Sequence, residues 1–167
     1  MFYKAKAKNL MFNTFKEIHD EWMLITAGDI NDFNTMTANW GGFGVLWHYN
    51  TAIIFVRESR YTKEFLDKND TFTLSFFSRR YRDALTFCGQ NSGRDFDKIK
   101  ETKLKPIELE GNVGFEQADT IFVCKKILAT ELGPDTIIAK ENLKKWYDTK
   151  DYHTMYIGEI LTIFNKE

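Results

Sequence analysis

Cysteine is scarce in this 167-residue sequence: Cys88 and Cys124 stand alone. Two are too few for a disulfide framework, and isolated free cysteines are more often small core residues than reactive thiols. Histidine is as sparse. His19, His48 and His153 make no Cys-x-x-Cys or His-x-x-x-His spacing, so no compact zinc or iron site can be read. Proline occurs only at Pro106 and Pro134, and no repeat or low-complexity linker divides the chain, which argues for a single domain over residues 1–167. The glycines build no Gly-x-Ser-x-Gly elbow, no Walker-type loop and no Gly-x-Gly-x-x-Gly, which removes the common hydrolase, nucleotide-hydrolase and Rossmann readings. Charge is nearly balanced at -1, leaving no overall field for nucleic acid or an anionic membrane surface. The start, Met1 to Lys8, lacks the apolar core of a secretory signal. No run approaches the ~18 to 20 apolar residues of a membrane span, so a cytoplasmic location is expected.

Aromatics are plentiful. Fifteen Phe, seven Tyr and four Trp make 16% of the chain, an excess that suits strands, core packing and a site for a flat ring system alike. Strand patterns run through Met23–Thr26, Gly44–Trp47, Ala52–Val56, Thr71–Phe76, Thr120–Leu128 and Met155–Thr162. Tyr81, Ala84, Leu85 and Cys88 are spaced for one face of a helix that should stop at Gly89. The Arg79, Arg80, Arg82 cluster then reads as the solvated face of that helix. Shorter helices are expected from Ser59 or Thr62, near Asp95, and around Leu143, Trp146 and Tyr147. The helices do not alternate regularly with the strands. The expected fold is therefore mainly β, an antiparallel barrel with peripheral helices.

Three segments carry chemistry. In Val56-Arg57-Glu58-Ser59-Arg60-Tyr61-Thr62 an apolar strand runs through Arg57 into capping residues and a second Arg at a helix start. Free backbone N–H groups and the helix dipole there favour an anion such as phosphate. The competing reading is that Ser59 only caps the helix while Arg57 and Arg60 pair with Glu58, Glu64 or Asp67. Asn34-Thr35-Met36-Thr37-Ala38-Asn39-Trp40-Gly41-Gly42 mixes small residues with a large aromatic, so a ligand could approach the backbone closely; a glycine-containing loop feeding the next strand explains Gly41 and Gly42 equally well. In Cys88-Gly89-Gln90-Asn91-Ser92-Gly93-Arg94-Asp95 one helix stops and another could be capped by Ser92 or Asp95, again beside an Arg.

Taken in order, and joined by Thr73–Phe77 and the late Asp151-Tyr152-His153-Thr154-Met155-Tyr156-Ile157-Gly158-Glu159, these segments resemble the flavin reductase-like, FMN-binding split-barrel family, and within it the flavoredoxin-type branch. The resemblance covers roughly Trp22 to Ile160. It implies a homodimeric six-stranded split barrel with FMN at the edge of the subunit interface. It places Thr35, Met36, Thr37, Ala38, Asn39 and Trp40 along the isoalloxazine, and Arg57, Ser59, Arg60, Tyr61 and Thr62 at the phosphate. Cys88, Ser92, Gly93, Arg94 and Asp95 are expected near the ribityl chain and phosphate. The chain departs from the family pattern at Asn39, where Ser is more usual, and at Glu58, where Pro is common and a carboxylate would stand beside the phosphate.

Two functions follow from the resemblance. In the first, NAD(P)H delivers hydride to the flavin, which reduces a second acceptor; in the second, a flavoredoxin-like carrier exchanges electrons with a redox protein and has no nicotinamide site. Flavin supplies the difficult chemistry in both, which fits a chain without a catalytic motif. His153 is the one titratable candidate near a motif that the family places by the active site, against a structural histidine at a strand start. A structural or ligand-sensing barrel is the reading without flavin.

Overall fold

The computed structural model describes residues 1–166. Ten strands and four α-helices follow one another as β1 (Phe2–Ala5), β2 (Met23–Asp29), β3 (Asp32–Ala38), β4 (Gly41–Leu46), β5 (Tyr49–Arg57), α1 (Tyr61–Lys68), β6 (Thr71–Phe76), α2 (Arg82–Gln90), α3 (Lys98–Thr102), β7 (Pro106–Leu109), β8 (Asn112–Phe115), β9 (Thr120–Glu131), α4 (Glu141–Trp146) and β10 (His153–Lys166). Eight strands form one antiparallel sheet in the order β3-β2-β6-β9-β10-β5-β4, with β1 also on β10. The long β10 explains this count. One edge pairs with β9, while the other pairs first with β5, from His153 to Glu159, and then with β1, from Ile163 to Lys166. Strands β7 and β8 make a separate hairpin. The mainly β, antiparallel architecture is as expected, but the main sheet holds eight strands rather than six.

Sheet curvature folds β4, at one end of this order, over the central strands β6 and β9. Phe43 of β4 packs its ring 4.7 Å from Phe122 of β9 and 6.2 Å from Phe76 of β6, and Phe12 closes the group. Met23, Ile25, Ile54, Val56, Phe72 and Leu74 fill the same interior. The outer face is covered as well: Leu24, Ile121 and Val123 point away from the interior and bury against Leu85 and Cys88 of α2, with Leu104 and Phe115. Burial on both faces is why β2 and β9 read as continuous apolar runs rather than as alternation. Each fully buried Leu or Phe contributes about 1.5–3 kcal/mol by leaving water. Gly158 lets β10 cross this core at a β-bulge; a Cβ there would stand 2.7 Å from the Phe72 ring and 2.9 Å from Cys124 Cβ.

Strand β4 starts at Gly41, so Gly41 and Gly42 belong to a strand and not to a loop feeding one, and Asn34–Ala38, outside the expected strand patterns, lie in β3. The polar residues of β3 face inward with partners: Thr35 Oγ1 lies 2.9 Å from Thr26 Oγ1 and donates to the Ile25 carbonyl at 3.2 Å. Once satisfied, such groups no longer oppose burial. Ser59 does not cap α1; Arg60 holds the capping position without a side-chain bond. Nor do Ser92 or Asp95 cap α3, because Asp97 accepts from the N–H groups of Ile99 and Lys100. No helix among the described residues is long and apolar enough to cross a membrane.

Candidate functional site

Strands β3 and β4 end the sheet order without pairing to each other, and Asn39-Trp40 links them across the gap. A cleft of about 230 Å³ opens there. Its walls are Met36–Trp40 from the end of β3, Phe55 and Arg57 from β5, Arg60, Gly89 at the end of α2, Trp146 from α4 and His153 at the start of β10. Period-two alternation explains the β5 contribution, since Ile54 and Val56 face the core while Phe55 and Arg57 face the cleft.

Among the described residues, the two guanidinium groups on this wall have no carboxylate partner. Arg57 donates to the main-chain carbonyls of Asp151 at 2.6 Å and Trp146 at 3.0 Å, and Arg60 to those of Gly89 at 2.9 Å and Cys88 at 3.3 Å. The pairing with Glu58, Glu64 or Asp67 is thus not formed. Glu58 turns to Lys63 at 3.4 Å, Glu64 pairs with Arg94, and Asp67 accepts from Lys63 and Tyr156. A guanidinium carries five donors. Two of each set are used on neutral oxygens, so neither charge is neutralised by a direct ion pair among the described residues. Burial lowers the Arg60 pKa, with nearby Asp151 opposing.

The aromatic part of the cleft is built by Trp40, whose ring lies 5.1 Å from both Trp146 and His153. His153 is buried, and its Nδ1 is 2.8 Å from the Tyr147 hydroxyl. Burial, reinforced by Arg57 and opposed by Asp151, pushes its pKa down to about 4. The imidazole is therefore neutral at physiological pH.

Of the expected contacts, Met36, Thr37, Ala38, Asn39, Trp40, Arg57, Arg60 and His153 meet in this cleft. Thr35 and Thr62 are buried elsewhere, the latter accepting from Asn34 Nδ2 at 2.7 Å. Tyr61 and Gly93 border a second cavity, of about 310 Å³. Arg94 reaches Glu64 and lies over the Tyr61 ring, Ser92 Oγ accepts from the Arg94 N–H, and Asp95 is exposed. Cys88 is buried in the core, where desolvation pushes its thiol up to about 11. Its part is played by the main chain: its carbonyl receives both Arg60 and Lys98 Nζ, the latter at 2.9 Å. Sequence reasoning missed Phe55, Gly89 and Trp146 as cleft residues, and Lys98, which is buried and ties the Cys88 carbonyl to that of Thr35 at 2.7 Å.

Comparison with solved structures finds the same fold. The FMN-binding domain of a flavin reductase-like enzyme from Shewanella baltica OS155 superposes with a TM-score of 0.71 at 15% identity, over 99% of this chain and 77% of that one. The flavoredoxin of Desulfovibrio vulgaris gives 0.68 at 20% identity, over 99% and 78%. An NADH:FAD oxidoreductase of Streptomyces globisporus gives 0.66 at 18% identity, over 87% and 75%. No curated protein matches the chain. The sequence model of the flavin reductase-like domain matches residues 15–167, and the chain therefore belongs to the flavin reductase-like family.

Proposed function

We propose that this chain is an FMN-binding oxidoreductase. The observation that carries the reading is the pair Arg57 and Arg60, both facing one cleft and both without a carboxylate partner among the described residues, beside Trp40, Trp146 and Phe55. Apolar rings suit a flat heteroaromatic ligand and two free cationic forks suit its phosphate. At about 230 Å³ the cleft is smaller than the ~300–1,000 Å³ of sites that enclose a drug-sized ligand. It takes a ring system and leaves the tail along the rim.

In this reading Met36–Trp40 would line the ring, and Arg57 and Arg60 would hold the phosphate. Bound there, FMN would supply hydride-transfer chemistry between NAD(P)H and a second acceptor. His153 contributes a neutral hydrogen-bonding group beside the ring, and Trp146 limits water at the open side. The solved NADH:FAD oxidoreductase of similar fold supports the nicotinamide step; the flavoredoxin of similar fold supports the alternative, a carrier that trades electrons with a redox protein. Anaerobic mixing of the flavin-loaded protein with NADH and NADPH separates them. Bleaching by either means a reductase; bleaching only by a redox protein or dithionite means a carrier.

A homodimer belongs to the same reading. Val45, Trp47, Tyr49 and Leu161 are exposed around the β4–β5 hairpin and β10, and a twin subunit would cover them. Light scattering at micromolar concentration tests it: a dimer is expected, and a monomer that keeps its flavin would overturn it.

A further inference from the structure

The sequence places Glu58 beside the expected phosphate, but the fold turns Glu58 outward to Lys63, 3.4 Å away. A different carboxylate takes that place. Asp151, 92 residues beyond Ser59, accepts from the Ser59 N–H at 3.0 Å on Oδ1 and from the Ser59 hydroxyl at 2.6 Å on Oδ2. Both Ser59 donors expected to address a phosphate are thus already engaged by an anion. The engagement is built in at the main chain as well. The Asp151 carbonyl accepts from Arg57 at 2.6 Å, and the Tyr152 carbonyl accepts from the Glu58 N–H at 3.1 Å. Residues 151–152 are thereby pinned to residues 57–59, and only the Asp151 side chain is free to swing.

We propose that Asp151 is an internal competitor for the phosphate of the flavin, occupying the Ser59 donors until an incoming phosphate displaces it. The inference rests on the FMN reading above. A phosphate drawn to Arg57 and Arg60 meets the Asp151 carboxylate as a like charge, and every contact it makes with Ser59 replaces one that Asp151 already makes. The gain on binding is the difference between the two anions rather than the full strength of the seat. Affinity losses of this kind fall mainly on the dissociation rate. The flavin is therefore an exchanging ligand rather than a permanently held group, and the chain favours FMN over riboflavin less than its two guanidinium groups alone would allow.

The test is titration of wild type, Asp151→Asn and Asp151→Ser with FMN, riboflavin and inorganic phosphate, followed by Trp fluorescence, with thermal melts confirming the fold. Removing the competing charge is expected to tighten FMN and inorganic phosphate about tenfold or more, the size of one charge-assisted hydrogen bond. Riboflavin affinity should not change, and FMN release should slow in proportion. Unchanged or weaker FMN and phosphate binding in both variants overturns the proposal, even if wild type binds flavin well. Tighter inorganic phosphate in a protein that takes up no flavin sustains the competition and overturns the flavin reading instead. In wild type, which needs no substitution, saturating phosphate should shift the Ser59 amide resonance; an unmoved resonance with phosphate bound counts against displacement.

Discussion

The Tyr147 hydroxyl stands 2.8 Å from Nδ1 of His153, in a buried pair between the end of α4 and the first residue of β10. Burial raises the Tyr147 pKa, so the phenol keeps its proton and can donate to a neutral imidazole. The ring proton then sits on Nε2. Nitrogen NMR of His153 should show the Nε2–H tautomer in wild type and a mixed population in Tyr147→Phe; a Nδ1–H ring in wild type would reverse the assignment.

His153 also makes stability depend on pH. Its folded pKa is lowered to about 4 from an ordinary 6.5, so between these values the unfolded chain binds more protons than the folded one. The associated stability is complete above about pH 6.5 and declines as pH falls toward 4. Melting temperature should therefore drop more steeply across this window in wild type than in His153→Phe. Parallel curves would mean that His153 titrates normally.

Arg60→Ala should weaken FMN binding about tenfold to hundredfold, the value of ~1.5 to 3 kcal/mol for a charge-assisted bond to phosphate. The fold adds a cost that the sequence did not reveal, because Arg60 holds the Gly89 and Cys88 carbonyls at the end of α2. Stability should fall as well, while riboflavin affinity changes less than FMN affinity. Equal losses for both flavins would place Arg60 in structure alone.

Lys98 is expected to support the same wall from behind. Burial lowers its pKa to about 8, yet it stays cationic at neutral pH and donates to Thr35 and Cys88. Lys98→Met leaves both carbonyls short of a donor, which should cost roughly 1.5–3 kcal/mol of stability and lower FMN affinity by loosening β3. An unchanged melting temperature would mean that water replaces the ammonium without penalty.

Gly93→Ala tests the second cavity. A Cβ there would stand 2.0 Å from Asn34 Oδ1 and 3.1 Å from Tyr61 Cδ1, so Asn34 must turn and give up its 2.7 Å bond to Thr62. A stability loss of about 1–3 kcal/mol is expected, measured by urea unfolding.

The barrel was legible where packing follows local pattern. Thr71–Phe76 alternates and is β6, and the Tyr81–Cys88 spacing is met by α2, which runs one residue past the expected stop at Gly89. It was illegible where tertiary partners decide. Asn34, Thr35 and Thr37 gave no strand pattern because polar side chains gain burial only through partners such as Thr62, Thr26 and the Leu85 carbonyl, which local sequence cannot supply. The turn at Trp47-His48 has positive φ at both residues, 52° and 65°, without the Gly or Asn that marks such turns. In the candidate cleft, Arg57, Arg60 and Met36–Trp40 stand together as expected from the family resemblance of the segments taken in order, each of which carries little signal alone. Trp146 and Asp151 were not expected there, since only the pairing of β10 with β5 brings them beside Arg57.

The central claim is tested most directly by titrating the purified protein with FMN while recording flavin absorbance and Trp fluorescence. The cleft predicts saturable uptake, quenching as the ring settles against Trp40, and weaker binding of riboflavin, which lacks the phosphate for Arg57 and Arg60. A protein that stays colourless and unquenched at FMN concentrations well into the micromolar range would contradict it.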